Sequence, residues 1–277
     1  MKIINLGCGG KINEAFINVD VLPMLPGVIK CDLLSGIPYP DNYFDAAYHS
    51  HVLEHFSQDD GKKFIAECYR VLKPGGILRI AVPDLENITR QYLKYLELAL
   101  AGEPLAENNY DWMMLELYDQ AVRTEGGGAM AKYLTQKQII NGDFVRERIG
   151  SFYDVIRKNV EEGAARKKTG LKQHIKNILP ENIFLALKNK KNKLLDIFNI
   201  KAWQYYRLGK FRQRGEIHQW MYDRYSLGRL LKNTGFQNVK VQSAMDSYIK
   251  DWSGYCMDTD KNGEVYKKDS FFMEGVK

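Results

Sequence analysis

The sequence predicts an α/β fold. Three stretches predict it: Ile3–Asp20, an apolar strand running into a glycine turn; residues 28–86, where strand and helix signals alternate; and residues 225–276, where a helix precedes two more strands.

In IINLGCGGKINEAFINVD the first strand stops at Gly7, Gly9 and Gly10, and a second short strand ends on Asp20. Glycines let backbone N–H groups approach a ligand with no Cβ in the way, and a carboxylate at the tip of the next strand can accept both hydroxyls of a ribose. The pattern implies a nucleoside site. Dinucleotide folds fit a helix between the glycines and a ribose acid about 20 residues on, and Asp20 follows Gly9 at roughly half that spacing. The third glycine of G-x-G-x-x-G is also absent, since Lys11 and Ile12 follow Gly10. A pyrophosphate cradle is poorly supported.

Further along, Val28–Cys31 is a short apolar run closed by Asp32 and Leu33, and IPYPDNYFD is a proline-punctuated turn feeding the run Ala46–His49. HVLEHF follows, then an amphipathic helix from about Gln58 to Leu72, then LKPGGILRIAVPDLE, a Pro-Gly-Gly turn into a buried strand. YSLGRLLKNT is a short amphipathic helix stopped by Gly235, Gln237–Gln242 alternates as a strand, and Ser270–Val276 reads as the last one.

This order, with NLGCGG and the helix-end, Lys-Pro-Gly-Gly and strand unit Val71–Pro83, resembles the class I S-adenosylmethionine-dependent methyltransferases over residues 2–86 and again from Tyr222. The resemblance implies a Rossmann-like, seven-stranded, mostly parallel sheet whose last strand is antiparallel, and S-adenosyl-L-methionine as cofactor. It implies that Gly7, Cys8 and Gly9 lie against the methionine part of the cofactor and that Asp20 holds the ribose. Asp32 with Leu33 would meet the adenine edge and face, and Ser50 and His51 would lie beneath the sulfonium. Asn5 stands where the family has an acid; it can hydrogen-bond to the cofactor without offering charge. HVLEHF, LRIAVPDLE and GEIHQWMYDRYS look like the bacterial branch associated with surface-polysaccharide or other glycan biosynthesis.

The 277 residues suffice for a large core. No apolar run approaches the roughly 18 residues of a membrane span. The chain starts directly on a glycine loop rather than a charged-then-apolar leader, and Cys8, Cys31, Cys68 and Cys256 show no CxxC spacing. A cytoplasmic protein with reduced thiols and no structural zinc is expected.

Charge is concentrated. Residues 157–214 hold 16 Lys and Arg against 4 Asp and Glu, a balance of +12; the whole chain is +6, so the remainder sums to −6. Such a block attracts phosphates, acidic glycans or an anionic membrane surface. Nucleic acid is disfavoured, because no RNA-binding signature accompanies the charge. Leu171, Ile175, Ile178 and Leu179, then Ile183, Phe184 and Leu187 after Pro180, form apolar stripes flanked by lysines. Such stripes suit packing on the catalytic core or peripheral contact with the inner face of a membrane.

Between Leu85 and Arg214 the pattern is mostly helical, with Gly126–Gly128 as a hinge candidate. So long a stretch is a subdomain rather than a loop, placed after the fifth strand where it can act as a lid. The organisation expected is 1–100 as the first part of the core, 101–214 as a helical, basic insertion, and 215–277 as the rest of the core.

His49, His51 and His55 lie within seven residues. His51 and His55, four apart with Glu54 beside them, can share a helix face, but the motif is not HExxH and no metal is expected. His51 is the first choice as general base and His55 the second; Asp84 either caps a helix or orients the acceptor. Trp203, Tyr205, Tyr206, Phe211, Trp220, Tyr222 and Tyr225 beside Arg207, Arg212 and Arg214 suit either a sugar platform or core packing. The function expected is O-methylation of a glycan-type, lipid-linked or phosphorylated, and hence anionic, small acceptor. Two other readings remain open: an inactive cofactor-binding scaffold in a membrane-associated glycan assembly, and an NAD-dependent oxidoreductase.

Overall fold

The computed structural model describes residues 1–166, 200–213 and 215–277. Seven strands form one sheet in the order β3-β2-β1-β4-β5-β7-β6: β1 Ile3–Leu6, β2 Phe16–Asp20, β3 Ile29–Lys30, β4 Phe44–Ser50, β5 Leu72–Pro83, β6 Gln237–Gln242 and β7 Ser270–Val276. β1 to β5 are parallel, and β7 runs antiparallel between β5 and β6. The strand order reverses between β1 and β4, which places a ligand crevice beyond the carboxyl ends of those two strands.

One face of the sheet is covered by helices. In α1 (Gln58–Val71) Ser57 caps the start by accepting from Asp60 N–H at 3.1 Å, and Phe64, Ile65, Cys68 and Val71 recur at helical spacing to bury one stripe. At its end residues 73–76 loop out of the pairing, because the β4–β5 register passes from Phe44–Leu72 to Ala46–Ile77. The chain returns to this face as a helix over Arg224–Thr234, opened by an Asp223–Ser226 capping box and closed by Gly235 at φ 115°. Its Leu227 and Leu231 join Phe64, Ile65, Ile4, Leu6 and Leu78 in the main core.

The other face is covered differently. No helix forms in the β1–β2 or β2–β3 connections, so the sheet would stand bare there. The long β6–β7 connection fills the place: Ile249, Trp252 and Met257 pack on Ile3, Phe16, Ala46 and Tyr48.

After β5 the chain is helical as far as it is described: α2 Leu85–Leu100, α3 Ala106–Met114 continuing through a wide turn at Leu115–Asp119 into α4 Gln120–Val122, then α5 Gly128–Leu134, α6 Gly142–Ile149, α7 Ser151–Arg166 and α8 Ile200–Arg212; Arg224–Thr234 is α9. Ile88 of α2 shares a separate core with Trp112, Met113, Leu134, Val145 and Ile149. α2, expected in the core segment 1–100, thus packs with the insertion. Gly126–Gly128 is a pinned turn rather than an open hinge: Gly127 N–H donates to Glu216 Oε1 at 2.8 Å, and Asp119 accepts from Ala129 N–H at 2.7 Å. The stripes of Leu171–Leu179 and Ile183–Leu187 lie outside the described residues. No helix among those described is long and apolar enough to cross a membrane.

Candidate cofactor and acceptor site

A cavity of about 470 Å³ opens at the switch between β1 and β4. Asn5, Gly7, Cys8, Gly9, Gly10 and Lys11 form one wall and Tyr48, Ser50 and His51 another. Its volume falls in the ordinary range for small-molecule sites.

The glycine loop is tied to β2. Gly7 and Cys8 N–H both donate to Val19 O, at 2.9 and 3.0 Å, and Gly9 N–H donates to Asp20 Oδ2 at 2.8 Å. Gly7 (φ 67°) has no room for a side chain, since a Cβ there would stand 2.5 Å from Val52 Cγ2; Gly9 (φ 52°) instead borders open space. Asn5 donates its amide protons to Lys11 O and Asn18 Oδ1, both at 3.0 Å, which leaves its Oδ1 for a ligand. Asp20 accepts one backbone N–H on each oxygen, from Gly9 and Leu22, and keeps a second lone pair on each.

The opposite side of the cavity comes from far along the chain: Phe152 of α7 and Met257, Tyr266 and Lys267 of the β6–β7 connection. Sequence reasoning missed all four, because they belong to no motif. Lys11 lies 4.1 Å over the Tyr266 ring and donates to Thr259 O at 3.2 Å. Burial lowers the pKa of both Lys11 and Lys267, and among the described residues neither ammonium has a carboxylate within ion-pair distance. Two unpaired cations facing a cavity call for an anionic ligand group.

At the end of β4, His51 takes the left-handed conformation (φ 55°), unusual for a side chain of its size, while its N–H donates to Ala81 O at 2.9 Å. Its Nε2 meets Ser270 Oγ at 2.7 Å. Its Nδ1 stands 3.1 Å from Glu54 Oε1, within ion-pair range but without hydrogen-bond alignment. Glu54 is wholly buried in a single 3₁₀ turn, Leu53–His55, so His51 and His55 do not share a helix face. His218 Nε2 lies 4.0 Å from the same oxygen, and His55 Nδ1 bonds Ile217 O at 3.1 Å. Burial alone would raise the Glu54 carboxyl, but the surrounding imidazoles, His51 foremost, hold it below the usual range. Burial pulls His218 down to about 3 and His49 to about 4, so both are neutral near pH 7.

Other expected site residues lie elsewhere. Asp32 caps the turn Leu33–Ser35, accepting from Leu34 N–H at 3.0 Å, and that turn directs Leu33 into the main core; Leu34, beside it, is the exposed side chain. Leu33 therefore does not present a face to an adenine ring. Asp84 caps α2 through Asn87 N–H at 3.0 Å and lines a separate cavity with Glu86, Arg90 and Arg224. Trp203, Tyr205 and Tyr206 are exposed on α8, with Arg207 stacked 4.8 Å over Trp203, so core packing does not account for them.

The cavity suits S-adenosylmethionine. Lys11 is placed to face a carboxylate and the Asn5 oxygen to accept from an ammonium, whereas Asp20 is not among the residues lining the cavity and meets it only through its bond to Gly9 N–H. The β1–β2 connection has no helix whose N-terminus could hold a pyrophosphate, which disfavours a dinucleotide.

Residues 7–80 match the family described as a methyltransferase domain. Over 106 residues the chain is 33% identical to a probable methyltransferase, ltbC, of Aspergillus luteorubrus, covering 35% of this chain and 37% of that protein. It is 32% identical over 102 residues to the ubiquinone/menaquinone biosynthesis C-methyltransferase UbiE of Francisella tularensis, covering 36% and 34%. The match thus spans about a third of the length of these two relatives. A solved SAM-dependent methyltransferase, possible histamine N-methyltransferase, from Thermotoga maritima is 27% identical over 35% of this chain and 51% of that one, with a TM-score of 0.28. Residues 7–80 thus resemble a methyltransferase domain, and the seven-stranded sheet with its antiparallel β7 is the Rossmann-like arrangement of S-adenosylmethionine-dependent methyltransferases.

Proposed function

We propose that the protein methylates an oxygen of a small anionic acceptor, of glycan-type, lipid-linked or phosphorylated chemistry, with His51 as general base. The observation that carries this reading is His51 itself, which lines the cofactor cavity in a strained conformation with Glu54 3.1 Å from one ring nitrogen.

When bound, S-adenosylmethionine supplies an electrophilic methyl group on a positively charged sulfur. An acceptor hydroxyl entering the cavity displaces Ser270 Oγ from His51 Nε2 and gives its proton to that nitrogen while its oxygen takes the methyl group, the S–CH₃ electron pair being left on sulfur as a neutral thioether. The Glu54 carboxylate stabilises the imidazolium that results. Lys267 and Lys11 neutralise the anionic group of the ligands, and Phe152, Met257 and Tyr266 exclude water from the reacting atoms. Orienting the acceptor is assigned to Lys267 rather than Asp84, which is committed to the α2 cap.

A lipid-linked acceptor would also give the basic segment 157–214 its role, at the cytoplasmic face of a membrane. The exposed Trp203, Tyr205 and Tyr206 among Arg207, Lys210 and Arg212 are the residues such a surface takes up. Transfer of radiolabelled methyl to nucleotide sugars, sugar phosphates and lipid-linked glycans tests the reading. Base-stable label in one of these fractions, absent with His51→Ala, is expected; label only on an amine or on carbon would overturn it.

A further inference from the structure

We propose that Glu54, His55 and His218 form a binding site for a divalent transition-metal ion of the zinc type, beside the cofactor cavity. One ligand atom from each of the three lies within 4.8 Å of the others. The inference concerns a site that no sequence motif marks, since His218 lies far along the chain from the other two.

The strongest observation is Glu54. Its side chain is 0% exposed, and among the described residues neither oxygen has an aligned hydrogen-bond donor. An ionised carboxylate taken out of water costs several kcal/mol unless something compensates it, and native proteins seldom leave one unpartnered. What surrounds it is a shell of histidines: His51 at 3.1 Å, His218 at 4.0 Å and His55 within the same cluster. Neutral imidazoles and a carboxylate are donors to a cation, and the set lacks only the cation.

The second observation fixes an imidazole. A carbonyl oxygen only accepts, so His55 Nδ1 must carry the proton of its 3.1 Å bond to Ile217 O. Nε2 is left with a bare lone pair. Metal-binding histidines are oriented in this way, the second ring nitrogen donating to a backbone carbonyl. The same carbonyl belongs to the residue before His218, so one short segment both orients one ligand and supplies another.

Geometry and chemistry choose the ion. Two imidazoles and one carboxylate are a set taken by zinc and by other late divalent metals, and they leave a fourth position open. With bonds of about 2.0–2.1 Å, tetrahedral ligand atoms stand about 3.3 Å apart, so the side chains must draw in by roughly an ångström. His51, which lines the cavity and touches Glu54, connects the ion to the acceptor side. An ion there would set, through Glu54, the basicity of His51. This last role rests on the proposed methyl transfer; the site itself does not.

The test uses the full chain and no turnover. After dialysis against Zn²⁺ and removal of loose metal, elemental analysis should find one equivalent per chain, and Co²⁺ in its place should give the visible absorption of a four-coordinate nitrogen and oxygen site. His218→Ala and His55→Ala should each weaken Zn²⁺ binding at least 10-fold while circular dichroism stays unchanged. His218→Cys, which restores a ligand, should recover binding and shift the Co²⁺ spectrum. Less than a tenth of an equivalent in the wild-type chain, or equal metal in both alanine variants, would overturn the proposal. One equivalent of metal with no methyl transfer would sink the proposed function and leave the site; methyl transfer by a chain that takes up none of the added Zn²⁺ would do the reverse.

Discussion

Arg79 of β5 and Asp258 of the β6–β7 connection, 179 residues apart in sequence, meet at 2.7 Å with neither side chain exposed beyond 1%. Arg79 also pairs with Glu274 of β7 at 2.8 Å and donates to Ser243 O and Asp246 O. Its guanidinium lies 4.6 Å over the Trp252 ring. One buried cation therefore fastens the segment that closes the second face of the sheet. Without Asp258, Arg79 keeps Glu274, but Arg79 Nε, Tyr48 Oη and Trp252 Nε1 lose their buried acceptor. Asp258→Ala should destabilise the protein by about 3–5 kcal/mol in urea titration, at about 1–3 kcal/mol for each buried donor left unsatisfied. A loss below about 1 kcal/mol, the value of an exposed pair, would mean that water reaches Arg79.

Asp20 holds Gly9 N–H and, in the proposed complex, the ribose. Asp20→Ala should weaken S-adenosylmethionine binding by about 1.5–3 kcal/mol, the scale of hydrogen bonds to a charged group. Calorimetric titration measures it. Unchanged affinity would place the ribose elsewhere.

His51→Ala should lower turnover about 100-fold or more while cofactor affinity holds within a few-fold. The split between kcat and cofactor Kd is the readout. An equal fall in both would make His51 a part of the binding wall and not the base.

Cys8 lines the cavity, and burial, with the Asp20 charge adding to it, pushes its thiol up to about 11. Little thiolate exists at pH 8, so iodoacetamide should label the more accessible Cys256 first and Cys8 slowly. Added S-adenosylmethionine should slow Cys8 further without changing Cys256. Mass spectrometry of the labelled peptides decides between this and a Cys8 remote from the cofactor.

Replacing Trp203, Tyr205 and Tyr206 together by serine should weaken sedimentation with anionic vesicles several-fold and leave cofactor binding intact. Equal sedimentation would assign the attraction to charge alone.

Much of this fold could be read from the residues, for identifiable reasons. α1, β6 and β7 follow the expected ranges nearly to the residue, because amphipathic spacing, strand alternation and the Gly235 stop are local signals. The glycine loop and His51 could be placed together because both sit at strand ends on one edge of a parallel sheet. Leu33 could not be oriented, since a 3₁₀ turn rather than the strand decides where it points. The β6–β7 wall was illegible because it covers the sheet through Ile249, Met257 and a four-residue helical turn, Trp252–Tyr255, too short to show a period. The pairing of Glu54 with His218 was illegible for a simpler reason: nothing local marks two residues so far apart as neighbours.

The bond from Lys11 to Thr259 joins residues 248 apart, and Asn13 reaches Tyr255 across 242. Contacts of such separation are the slowest to form, because the intervening chain must be brought to order before they repay it. The glycine loop is therefore among the last parts of this fold to acquire its final shape. Until β7 inserts between β5 and β6, the nascent sheet has an open edge at β5 and an uncovered apolar face on Phe16 and Tyr48. Refolding should accordingly regain helical signal early and cofactor binding last, with aggregation competing in the interval.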